Sequence, residues 1–94
     1  MKILNIGGYR DGGSLSIKTD QGKFVVDHKI RSNTHGRVTK GYYDDYKTKE
    51  ELATEGVRDA TLGEVHFLLS MLEQKINEGQ YSDHILDIKR YYNI

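Results

Sequence analysis

The stretch SLSIKTDQGKFVVDHKI, residues 14–30, decides how this chain is read. Ser14 to Thr19 alternates polar and apolar side chains with period two, the pattern of a strand with one buried face. Asp20-Gln21-Gly22 follows as a turn signal. Phe24 to Ile30 then resumes the alternation, with Phe24, Val26, His28 and Ile30 on one face and Val25, Asp27 and Lys29 on the other. Two such runs joined by so short a turn predict an antiparallel hairpin.

The same reading extends outward. Lys2-Ile3-Leu4-Asn5-Ile6 is a short apolar run ended by Gly7-Gly8, and Asp11-Gly12-Gly13 marks a second turn. Residues 31–37 read as a polar loop, and Val38 to Tyr43 as a returning strand. The expectation for roughly residues 2–43 is an antiparallel meander of three or four strands. Beyond it the periodicity becomes helical. Thr48-Lys49-Glu50-Glu51 and Thr61-Leu62-Gly63-Glu64 both carry the capping-box pattern, a hydroxyl followed three residues later by a carboxylate. The first opens a short helix ending near Gly56. The second opens a long one, Leu62 to about Asn77, with Leu62, Val65, Leu68, Leu69, Leu72 and Ile76 in one stripe. Ser82 is the expected cap of a last helix whose Ile85, Ile88 and Tyr92 share a face, with a strand as the alternative there. The fold class is therefore α+β: a sheet half over residues 1–46 and a helical half over 47–94, within one domain, its two or three helices packed on one face of the sheet.

Composition narrows the function. With 94 residues and no cysteine, thiolate metal sites, disulfides and cysteine nucleophiles are excluded. No apolar run has the length of a membrane span, so the expected setting is the cytoplasm. Equal numbers of acidic and basic residues conceal an asymmetry. Residues 1–41 carry eight Lys/Arg against three Asp, and the surplus is reversed further on. Phe67 and Met71, spaced i,i+4, project away from the apolar stripe of the long helix, which predicts a cover for them, either the C-terminal helix or a second protomer. A small domain gains stability by self-association, so a homo-oligomer, a dimer or larger, is expected there.

The basic surplus centres on residues 27–43. Lys29, Arg31, Arg37 and Lys40 supply charge for an anion, while Ser32, Asn33, Thr34 and His35 supply hydrogen-bond donors. Tyr42 and Tyr43 follow directly as rings for stacking on a base, and Tyr9 with Arg10 forms a second such pair. These residues predict binding of a small anionic ligand, a nucleotide above all, without catalysis. No catalytic residue is assigned. No H-x-x-x-H or His/Asp spacing predicts a metal site, and no cofactor is expected. Alternatives are a protein-interaction module that masks a host protein, and a nucleic-acid-binding accessory protein.

Two resemblances bear on this choice. Short, cysteine-free and rich in Tyr, Lys, Asp and Gly, the chain resembles in general character the small accessory proteins of bacteriophages. Some of these are anti-defence sponges, oligomers that sequester cyclic nucleotide signals, and the resemblance implies sequestration in the host cytoplasm. Val26-Asp27-His28 before a polar loop resembles the opening of an HNH-type nuclease motif, which would make His28 a general base and Asp27 a metal holder. The chain departs from that motif after His28. The loop lacks a proline, and no Asn and His stand on a following short helix.

Overall fold

The computed structural model describes residues 2–8, 14–28, 33–41, 48–54, 56–74 and 81–94. Five strands form one antiparallel sheet in chain order: β1 (Ile3–Gly8), β2 (Ser14–Thr19), β3 (Gly22–Asp27), β4 (Val38–Lys40) and β5 (Arg58–Asp59). The expected meander is present, with one strand more than expected. β5 is only two residues long and lies in the half read as helical, too short for any periodicity to reveal.

Register follows from the alternation. Leu15 faces Val26 and Ile17 faces Phe24, so both pairs fall on one side of the hairpin. The turn between them is tied by the Thr19 hydroxyl, which donates to the Gly22 carbonyl and accepts from the Gln21 amide. Ile6 opposite Ile17 and Val38 opposite Val26 extend the same face across β1 and β4. β3 is described as far as Asp27 and β4 as far as Lys40, while Ile30, Tyr42 and Tyr43 lie outside the described residues.

Among the described residues, three helices follow the sheet or interrupt it: α1 (Lys49–Thr54), between β4 and β5, then α2 (Leu62–Glu73) and α3 (Ser82–Tyr92). Both capping boxes form. Thr48 and Glu51 exchange side-chain-to-backbone bonds at α1, and Thr61 and Glu64 do so at α2. Val65, Leu68, Leu69 and Leu72 of α2 are buried against the sheet, with Ile85 and Ile88 of α3 beside them. Each such side chain contributes about 1.5–3 kcal/mol by leaving water. Leu62 departs from the expected stripe: the first residue of the helix, it is exposed. Ile76 lies outside the described residues.

Residues 82–92 are helix, not strand. Tyr81 rather than Ser82 occupies the N-cap position, and no side chain caps it. Asn93 ends the helix in the left-handed conformation. The Tyr92 hydroxyl accepts from the Val38 amide at 2.8 Å, fastening the end of α3 to β4. Its phenol pKa is raised, chiefly by burial. With its far end anchored this way, α3 lays its first turns across the open end of the β3–β4 pair. Among the described residues, no helix is long and apolar enough to cross a membrane.

Candidate functional site

β3 and β4 remain hydrogen-bonded for one step beyond their last strand pair. The Asp27 amide donates to the Arg37 carbonyl at 2.9 Å, and the Gly36 amide returns a bond to the Asp27 carbonyl at 2.6 Å. These bonds close the neck of the loop between residues 28 and 35. The Thr34 hydroxyl tightens it further by donating to Asp27 Oδ2 at 2.5 Å. His28, just past the end of β3, and His35, just before Gly36, therefore stand side by side.

Helix α3 meets this neck through His84 and Asp87, whose i,i+3 spacing puts them on one face. The approach is close because of Gly36. Its φ of 92° is in the left-handed region, and a Cβ built there would drive into the Asp87 carbonyl oxygen. A glycine at this position lets turn and helix backbones touch.

The result is a cluster of three imidazoles about one carboxylate. Asp87 Oδ2 lies 2.6 Å from His28 Nδ1 and 2.8 Å from His35 Nε2, and those two nitrogens are 3.3 Å apart. The Asp87 side chain is 9% exposed, against 26% for His28 and 25% for His35, so the carboxylate faces inward and the imidazoles outward. Behind them the His84 ring packs against the His28 ring, with centroids 4.4 Å apart. His84 Nδ1 is buried with no hydrogen-bond partner among the described residues. Burial first, and then the neighbouring His28, lowers the His84 pKa and favours its neutral form. His28, His84 and Asp87 each offer a ligand atom within 4.8 Å of the others.

The residues expected to hold an anion divide in two. Lys29, Arg31, Ser32, Tyr42, Tyr43, Tyr9 and Arg10 lie outside the described residues. Of the remainder, Asn33 is exposed in the turn and Thr34 bonds to Asp27. Arg37 Nε donates to Asp59 Oδ1 at 2.6 Å, and Lys40 Nζ sits 6.0 Å above the Phe24 ring. His35 is the member that the fold carries into the cluster. Asp27, which the nuclease resemblance would make a metal holder, is engaged by Thr34; the carboxylate beside His28 is Asp87.

Sequence spacing alone pointed to no metal site, whereas the fold assembles these donors from residues 28, 35, 84 and 87. The local signal was His84-x-x-Asp87 on an amphipathic helix, with an Asp beside Ile88 on its buried side. Phe67, the expected partner-facing residue, is half-buried against the chain's own core. Met71 lines a cleft of about 340 Å³ with Ile3, Leu4, Asn5, Ile6 and Tyr81. No protein-family model, curated protein or solved structure matches this chain.

Proposed function

We propose that this domain binds a divalent transition-metal ion through His28 Nδ1, His35 Nε2 and Asp87 Oδ2. The observation that carries the reading is the mutual spacing of these three donors, which come from three separate segments of the chain. The circle through them has a radius of about 1.7 Å, smaller than a zinc–nitrogen bond of ~2.0–2.1 Å. One ion can reach all three from about 1.1 Å off their plane, with the two closer donor pairs spreading toward the ~3.3 Å separation of tetrahedral ligands as it enters. Two imidazoles and a carboxylate suit zinc and its first-row neighbours better than calcium or magnesium, which favour all-oxygen shells. Loading would exchange imidazole protons facing Asp87 for the ion, so binding weakens in acid. His84 supports the set from behind, its ring against that of His28.

Zinc titration into metal-free protein tests this. The expected result is one ion per chain, with affinity reduced at least ~10-fold in His35→Ala and in Asp87→Asn, since even outer-shell changes at metal sites cost that much. No uptake by the wild type, or unchanged affinity in both variants, would refute the assignment. The cluster would then be a hydrogen-bonded joint between loop and helix.

A further inference from the structure

Packing against His28 accounts for the ring of His84 but not for its nitrogens. His84 Nδ1 is buried with no hydrogen-bond partner among the described residues, an arrangement that costs stability wherever it persists. Neutral imidazole carries a lone pair on one ring nitrogen, and that is the form a metal binds. One nitrogen of His84 lies within 4.8 Å of a ligand atom on each of His28 and Asp87. His35 joins the same set through Asp87 Oδ2 and His28 Nδ1. Ligands on tetrahedral zinc stand ~3.3 Å apart, so each gap to His84 closes by about 1.5 Å at most. Side-chain torsions can supply such a shift.

The backbone presents these donors as two pairs. His28 and His35 flank the neck of one loop, closed by the backbone bonds between Asp27 and residues 36 and 37. His84 and Asp87 stand on one face of α3, which the Tyr92 hydroxyl anchors to β4 at its far end. Structural zinc sites draw their four ligands from short-range pairs of this kind. Water is the competitor, since zinc with three protein ligands keeps its fourth position open. A tethered imidazole has the advantage, because the fold has already brought it to the cluster. We infer that His84 supplies the fourth ligand, giving a closed, structural centre of His28, His35, His84 and Asp87. This rests on the metal reading above. Such a centre leaves the ion no position for a substrate; its role is to fasten α3 to the β3–β4 neck.

Cobalt(II) separates the two claims, because four-coordinate cobalt absorbs visible light far more strongly than five- or six-coordinate cobalt. Failure of the wild type to take up cobalt defeats the metal reading, and this inference with it. With cobalt bound, the expected result is intense bands that do not change on adding azide, since azide needs an open position. His84→Phe keeps a ring against His28 but offers no donor. Its cobalt bands should shift with azide, and its zinc affinity should fall at least ~10-fold. Three results overturn the inference while leaving metal binding intact. These are weak bands in the wild type, wild-type bands that shift with azide, and wild-type bands and affinity in His84→Phe. The first two need no variant, so they decide the matter even if His84→Phe fails to fold.

Discussion

At the scale of the residue, the centre depends on an atom that is missing. Gly36 has no Cβ, and that vacancy is what lets the 33–36 turn lie against the Asp87 backbone. Any L side chain there meets two penalties together: a positive φ and a collision with a helical carbonyl that cannot move without disturbing α3. Gly36→Ala should therefore destabilise the domain by about 1–3 kcal/mol. It should also weaken zinc binding, because His35 rides on the displaced turn while His28 and Asp87 remain in place. Denaturant unfolding and zinc titration of the same variant check both effects. Full stability with wild-type zinc affinity would show that the turn has room the geometry denies it. The histidines are easy to notice in the sequence. The glycine between His35 and Arg37 reads only as a loop residue, because its role is set by a helix about fifty positions further along the chain.

At the scale of the element, contacts between neighbours in sequence were legible and contacts between distant segments were not. Both capping boxes and the β2–β3 hairpin involve residues a few positions apart, and all three form as expected. β5 was invisible because two residues have no period, yet it carries a specific tie to α2. Arg58 donates through Nη1 and Nη2 to the two Glu64 carboxylate oxygens, at 2.8 and 3.1 Å. Bidentate pairing of this kind is the strong form of an ion pair. The guanidinium holds the Glu64 pKa down from 4.5 to about 2, helped by the Thr61 backbone and hydroxyl. Because the folded-state pKa is depressed, the stabilisation is complete above the ordinary carboxylate range and is lost as pH falls from about 4.5 through about 2. The pair is open to water, so the effect is modest. Melting temperatures of wild type and Arg58→Ala across that pH window should converge as acid is added. Curves that stay parallel would mean the pair contributes nothing measurable.

At the scale of the whole molecule, the centre joins parts of the chain that the sheet does not. His28 and Asp87 are 59 positions apart, and between them the described elements β4, α1, β5 and α2 run in order. That separation is why no local pattern exposed the site. It is also why an ion there would act on the entire fold. Closing α3 onto the β3–β4 neck links the last helix to the sheet, and unfolding must break that link. An ion that binds only the folded chain at a concentration 100 times its dissociation constant adds about 2.7 kcal/mol. In a domain of 94 residues that corresponds to a rise in melting temperature of roughly 10–20 °C. The rise should grow with the logarithm of zinc concentration and disappear with a chelator. Asp87→Asn should lose it, since the amide keeps the shape of the side chain but not its charge. A melting temperature indifferent to zinc in the wild type would mean that His28, His35 and Asp87 hold loop and helix together by hydrogen bonds alone. A rise of equal size in Asp87→Asn would place the ion elsewhere on the molecule.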